Sequence, residues 1–155
     1  LAKNKQLDLN VSTLARNHAF TDALALRRIL DNLLGNAIKF TDSGYVAISD
    51  ISNEQELIIE VKDSGCGIPE EQAHLLFAPF KKLHSSSEGS GLGMSICRDL
   101  ANKLSGQISY APNTPQGTIF KLTLPRTQPE KGQSSPLTQK ASSPKTLQEV
   151  RQSDL

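Results

Sequence analysis

The stretch from residue 24 to residue 40 constrains this chain more than any other. Its apolar residues Leu24, Leu26, Ile29, Leu30, Leu33, Leu34, Ala37 and Ile38 recur at spacings of three and four, the pattern of a helix with one buried stripe. Thr21 or Asp22 is placed to cap it, and it should stop near Phe40, where Thr41-Asp42-Ser43-Gly44 forms a turn cluster. Asn32, Asn36 and Lys39 fall at i, i+4 and i+7 of the same helix and therefore share a face. Two carboxamides and an ammonium on an apolar helix are costly unless they meet a polar ligand or each other. Amide oxygen is a hard donor that suits Mg²⁺, and lysine is a point charge for phosphate. Read alone, the same face also fits a partly solvated helix end.

The remaining patterns surround that helix with strands. Leu7, Leu9 and Val11 alternate as in a short strand. Tyr45-Val46-Ala47-Ile48-Ser49 and Leu57-Ile58-Ile59-Glu60-Val61 read as a hairpin joined by Ser52-Asn53-Glu54-Gln55. Pro69 as a first helical residue, with Glu70 and Glu71 behind it, predicts a short helix through Leu76. A second long helix should start after Gly91 and run through Met94, Ile96, Leu100 and Leu104 to Gly106 as its C-cap glycine. Gln107 to Tyr110 and Thr118 to Leu124 complete the strands. This order predicts an α+β domain with a mixed, mostly antiparallel sheet covered on one face by helices.

Composition changes after Pro125. Residues 127–155 are rich in Ser, Gln, Pro and Lys and carry few apolar residues besides Leu137, Leu147 and Val150. Such a segment cannot bury enough surface to offset its ordering entropy, so a disordered linker or tail is expected there, with the folded domain in residues 1–126. Lys and Arg number 17 against 16 Asp and Glu, a net charge of +1. That balance gives no electrostatic case for nucleic acid or for an anionic membrane. No apolar run approaches the roughly 20 residues of a membrane helix. Cys66 and Cys97 stand far apart, so neither a zinc site nor a disulfide framework is encoded, and a reducing cytoplasm fits. The chain begins at Leu1 rather than Met, which predicts a longer parent.

Two glycine clusters add chemistry. Asp63-Ser64-Gly65-Cys66-Gly67-Ile68 follows a predicted strand, and an acidic residue there can accept a hydrogen bond from an exocyclic amine while the glycines let the backbone approach a ligand. The same short motif is also an ordinary tight turn. Glu88-Gly89-Ser90-Gly91-Leu92-Gly93-Met94 leads into a helix, where backbone N–H groups and the helix dipole favour an anion. It is not a Walker A loop, since no Lys-Ser or Lys-Thr follows, and the G-x-G-x-G spacing is not the dinucleotide fingerprint. In isolation the segment also reads as a flexible surface loop.

In their order, these segments resemble the catalytic ATP-binding domain of sensor histidine kinases, which shares the Bergerat fold with DNA gyrase, heat-shock chaperone and mismatch-repair ATPases. Asn32 to Thr41 resembles the N box, Asp63 to Gly67 the G1 box, Leu76-Phe77-Ala78-Pro79-Phe80 the F box, Gly89 to Gly93 the G2 box, and Gly117-Thr118-Ile119-Phe120 the final glycine motif. The resemblance implies a two-layer α/β sandwich over residues 1–126, with ATP and Mg²⁺ as its ligands. It implies that Asn36 coordinates Mg²⁺ with Asn32 beside it, and that Lys39 reaches the phosphates, Asn36 and Lys39 being the catalytic pair. Phe40 follows Lys39 near the end of the N box. Asp63 takes the adenine amino group, Gly65 shapes the turn behind it, Gly67 and Ile68 line the base, and Thr118 completes the pocket. Gly89, Ser90, Gly91, Leu92, Gly93 and Met94 surround the triphosphate, although Met94, like Cys97, also reads as a core residue. Lys82, in a short lid, stands where relatives often carry an arginine, without the bidentate fork of that residue.

Histidine transfer needs an acceptor followed by an acidic residue, yet His18 precedes Ala19, His74 precedes Leu75 and His84 precedes Ser85. The expectation is therefore that the acceptor lies on a dimerisation hairpin elsewhere in the parent, and that a response-regulator receiver domain is a partner through that parent. Conformational-clamp ATPases of the same superfamily place a general-base glutamate where Asn32 stands here. A serine kinase of the anti-sigma type is compatible with the same boxes. Intact Asn36, Asp63 and G2 glycines count against a degenerate adaptor that only contacts partners.

Overall fold

The computed structural model describes residues 5, 7–12, 19–81 and 90–126. In chain order the elements are β1 (Asp8–Ser12), α1 (Ala23–Phe40), β2 (Tyr45–Asp50), β3 (Glu56–Asp63), α2 (Glu70–Ala73), α3 (Gly93–Lys103), β4 (Gln107–Pro112) and β5 (Thr118–Pro125). The expected lid residues 82–89 and the segment 127–155 lie outside the described residues.

The strands form one five-stranded sheet in the order β1-β2-β3-β5-β4. Only the β1–β2 pair is parallel, so the sheet is mixed and mostly antiparallel, as expected. Register fixes the faces: Ile59 lies opposite Leu122 and Val61 opposite Phe120, while Glu60 and Lys121 pair on the other side. Because side chains alternate along a strand, that register places Leu57, Ile59 and Val61 of β3 with Phe120, Leu122 and Leu124 of β5 on one face, leaving Ile58 and Ile119 on the other. Helices α1 and α3 cover it and pack on each other. Ile29, Leu33 and Ala37 of α1 and Cys97 and Ala101 of α3 share one core with Val46, Val61, Leu122 and Leu124.

Helix α1 follows its sequence signals closely. Asp22 is the N-cap, its Oδ1 accepting from the N–H groups of Leu24 and Ala25 at 2.9 and 3.0 Å, and the helix ends at Phe40. At its far end Lys5 Nζ donates to the Lys39 and Thr41 carbonyls at 2.8 and 3.3 Å, a cation at the negative pole of the helix.

Other expectations need correction. The helix expected from Pro69 through Leu76 is a single turn, Glu70–Ala73, with Pro69 outside it as N-cap. Its start signals are real, but none of its four residues is buried, and a short helix without a packed face does not propagate. Helix α3 begins after Gly91 as expected, at Gly93, but it ends sooner than expected: Ser105 takes the left-handed conformation (φ 60°) that the sequence pattern assigns to Gly106. Gly106 instead donates its N–H to Ala101 O at 2.8 Å, while Ser105 N–H reaches Asn102 O at 2.9 Å, the two bonds of a Schellman cap. In β1, Leu9 and Val11 face the same side as Val46 and Ile48 yet are 55% and 71% exposed within this chain, because among the described residues the helices pack chiefly on β2 to β5.

No helix among the described residues is long and apolar enough to cross a membrane. Leu33 is fully buried at the centre of α1, so Leu33→Ala should destabilise the fold by about 2–5 kcal/mol, whereas exposed Leu24→Ala should stay within about 0.5 kcal/mol. Urea denaturation of both variants checks this; equal effects would show that the helix does not pack as described.

Candidate functional site

The described parts of the glycine clusters and the polar face of α1 converge beside the helix-covered end of β3. Asp63 is the last residue of β3, and the inward alternation of that strand carries its carboxyl into the layer between sheet and helices. It is only 4% exposed. Its Oδ1 accepts from Gly65 N–H at 2.9 Å and from Thr118 N–H at 3.1 Å. Burial pushes the carboxyl above the usual carboxylate range, and the hydrogen bonds from Gly65 and from the backbone and hydroxyl of Thr118 pull it partly back. Thr118 is itself buried. Ile68 packs against the core, and its carbonyl accepts from Tyr110 Oη at 3.2 Å.

On α1, Asn36 Nδ2 donates to Asn32 Oδ1 at 2.9 Å and touches Met94 Sδ at 3.4 Å. The two carboxamides thus answer each other's polarity on the half-buried face of α1, one of the two solutions their sequence spacing required. Gly93 fixes how closely α3 approaches: a Cβ there would stand 2.9 Å from Asn32 Oδ1 and closer still to its Nδ2. The start of α3 therefore rests on the asparagine pair, and Met94 belongs both to that contact and to the core. Gly91, with φ +71°, lies against the Lys81 carbonyl and joins the glycine segment to the F box. Cys66 N–H donates to Phe40 O at 3.2 Å, tying the turn after Asp63 to the end of α1.

Lys39 is exposed, and its Nζ lies 5.3 Å from the Phe40 ring centroid. Ser90 is exposed, and Leu92 is the N-cap of α3. Lys82 and Gly89 lie outside the described residues. Cys97 is a core residue, its thiol pushed up to about 11 by burial.

Sequence reading assigns no role to two groups that brace the site. Buried Thr41 donates its hydroxyl to Ala37 O at 2.7 Å. Asn113 donates to the Asp63 carbonyl at 2.7 Å. Thr41 ends the N-box segment with no evident chemistry of its own, and Asn113 lies outside every motif, although an Asn opening the turn Asn113-Thr114-Pro115-Gln116-Gly117 is a recognisable turn signal.

The donors present fit Mg²⁺ better than a metal held wholly by protein. No cluster of three or more His, Cys, Asp or Glu occurs among the described residues. The Asn36 amide oxygen accepts no hydrogen bond among the described residues, which leaves one hard oxygen donor. Mg²⁺ takes one or two protein ligands and completes its shell with water and phosphate.

Residues 21–128 match the family model of the Histidine kinase-, DNA gyrase B-, and HSP90-like ATPases. The chain belongs to this family. Among curated relatives, Sensor protein TorS of Escherichia coli is 38% identical over 105 residues, covering 67% of this chain and 11% of TorS. Two-component system protein A of Emericella nidulans is 35% identical over 135 residues, covering 79% of this chain and 20% of that protein. The chain thus corresponds to a small part of either relative. Among solved structures, the nucleotide-free catalytic domain of histidine kinase ThkA superposes with a TM-score of 0.73 at 28% identity, covering 82% of this chain and 84% of that one. Full-length ShkA in complex with AMPPNP gives 0.70 at 25% identity, covering 83% and 27%. The family, its ATP-binding character and the histidine-kinase catalytic fold expected from sequence are therefore established for this ATPase domain.

A pH dependence follows from Asp63. An acid whose folded pKa is raised contributes stability that is present below its unfolded value, 3.8, and lost as pH rises past the folded value. Asp63→Asn should therefore raise the melting temperature at neutral pH, and the gain should shrink on acidification. Thermal melts of both proteins across pH 3 to 8 check this; a variant less stable than the parent at neutral pH would contradict the burial cost.

Proposed function

We propose that this domain binds ATP with Mg²⁺ and delivers the γ-phosphoryl group to a histidine on a separate dimerisation hairpin of its parent, from which a receiver domain is then served. The observation that carries the reading is the Asn32–Asn36 bond. Where a clamp ATPase needs a carboxylate to take a proton from water, this chain has a carboxamide, and its oxygen already accepts from Asn36. An amide cannot act as the general base. The site therefore suits transfer to a nucleophile brought from outside better than hydrolysis, and the ATP-binding and histidine-kinase relatives support that choice.

In this reading Asp63 accepts from the adenine amino group, with Gly65 turning the chain behind it and Gly67, Ile68 and Thr118 against the base. A partly desolvated carboxylate makes a strong and selective partner for such an amine. Asn36 offers its amide oxygen to Mg²⁺, and Asn32 orients Asn36. The metal, when bound, neutralises charge on the phosphate oxygens. Gly89, Ser90, Gly91, Leu92 and Gly93 present main-chain N–H groups to the phosphates at the start of α3, where the helix dipole favours anions. Met94 backs Asn36. Phe40 borders the site at the end of α1, Lys39 swings its ammonium group to the phosphates from the exposed side, and Lys82 supplies a second ammonium charge to them. Lys39 reaches them only by leaving the Phe40 ring, a small cost for an exposed cation–π contact. The parent works in the cytoplasm, where ATP is supplied.

The test is phosphotransfer in trans. A histidine-bearing hairpin from a related kinase, incubated with this chain and radiolabelled ATP, should be labelled, and Asn36→Ala should lower the rate by at least about 10²-fold while leaving the melting temperature nearly unchanged. Phosphate release without the hairpin should stay close to background. Robust hydrolysis abolished by Asn36→Ala would favour the clamp ATPase, and labelling that survives Asn36→Ala at the parental rate would remove Asn36 from the metal.

A further inference from the structure

Strand pairing between β3 and β5 ends with Lys62 opposite Ile119. Asp63 lies one residue beyond, so its backbone is still paired with Val46 of β2 but has passed the last pair on the β5 side. A side chain takes over there. Asn113, from the β4–β5 turn, donates through Nδ2 to the Asp63 carbonyl at 2.7 Å and to Tyr45 Oη at 2.9 Å. Its Oδ1 accepts from Thr114 N–H at 2.9 Å, and its own N–H donates to Gly117 O at 3.1 Å. Both amide protons and the amide oxygen are used, so the side chain is pinned in one orientation. The neighbourhood has no slack. Gly117 lies so close that a Cβ on it would stand 2.8 Å from the Asp63 carbonyl carbon and closer to its oxygen.

The two halves of Asp63 are therefore held by one turn and the strand that follows it. Asn113 holds the carbonyl, and Thr118, immediately after Gly117, holds the carboxyl Oδ1 at 3.1 Å. The Asn113–Tyr45 bond anchors the same turn to the first residue of β2. On the far side Ser64 Oγ accepts from Tyr45 N–H at 2.9 Å, so Tyr45 is bonded both to Asn113 and to the residue that follows Asp63.

We propose that Asn113 is a positioning residue for nucleobase selection: it holds the Asp63 main chain so that the carboxyl meets the exocyclic amine of adenine. This rests on the proposed role of Asp63. Asn113 itself touches neither phosphate nor metal in that reading, so its removal acts on recognition of the base amine and spares the rest of the nucleotide.

The experiment measures, by calorimetry with Mg²⁺ present, the affinity of the full chain for ADP and for purine riboside diphosphate, which lacks only the amino group. The parent should prefer ADP by about tenfold or more, the scale of a hydrogen bond to a charged group, and Asp63→Asn should abolish most of that preference. Asn113→Ala should cut the preference by about fivefold while binding of the amine-free analogue stays within about twofold, since only the base-amine contact loosens. Tyr45→Phe removes one acceptor of Asn113 without opening a cavity and should narrow the preference in the same direction; it decides the matter if Asn113→Ala does not fold. A merely structural role would weaken both nucleotides by the same factor. Equal weakening, or a preference unchanged in the variants that fold, overturns the inference and leaves the role of Asp63 standing. A parent chain that does not distinguish the two nucleotides overturns both.

Discussion

A carboxylate cannot be taken out of water without partners, and the site is arranged around one that has been. Asp63 is buried between sheet and helices, and its Oδ1 is met by the N–H groups of Gly65 and Thr118. Those two donors lie 53 residues apart in sequence, 65 against 118, so satisfying this one group requires the turn after β3 and the start of β5 to meet. The meeting fixes the sheet register on the side where the binding site lies. The remaining desolvation cost persists as a raised carboxyl pKa, and a buried carboxyl perturbed in this way is a candidate functional position.

The second constraint is the asparagine pair on α1. A helix that must bury Ile29, Leu33 and Ala37 tolerates Asn32 and Asn36 on its flank because each carboxamide has the other as a partner. Their bond engages the Asn36 donor and leaves its oxygen. Glycine at position 93 lets α3 come down directly on Asn32, so the beginning of the anion-favouring helix and the metal-suited amide share one surface. Packing and chemistry are coupled here: the same α1–α3 contact closes the core and assembles the site.

Much of this is legible in the chain. The three-and-four spacing of α1, its Asp22 cap and its turn cluster predict the helix to its last residue, because a long amphipathic helix is decided by local pattern plus one buried face. The hairpin β2–β3 is legible for the same reason. What the sequence does not reveal is decided elsewhere. Pro69 carries genuine start signals, but no buried face sustains the helix behind it. Gly106 is the residue type suited to the left-handed position, whereas the Schellman bonds place Ser105 there. Leu9 and Val11 have a strand's alternation and an edge strand's exposure, and only the position of the helices shows the difference. Lys39 shares a helix face with Asn36 by arithmetic but lies exposed beside Phe40. The roles of Asn113 and Tyr45 are invisible in sequence because their bonds span 50 and 68 residues, and nothing local records such a distance.

The central claim is that Asp63, the glycine turn behind it and the asparagine pair of α1 form a single nucleotide site. Nuclear magnetic resonance of the labelled chain, titrated with Mg²⁺ and AMPPNP, tests it most directly. The account predicts that the largest shifts fall together on the amides of Gly65, Gly67 and Thr118 and on the side-chain amides of Asn32 and Asn36, with β1 and the outer face of the sheet nearly silent. Shifts concentrated away from β3 and α1, or changes at the asparagine pair without any at Gly65 and Thr118, would contradict it.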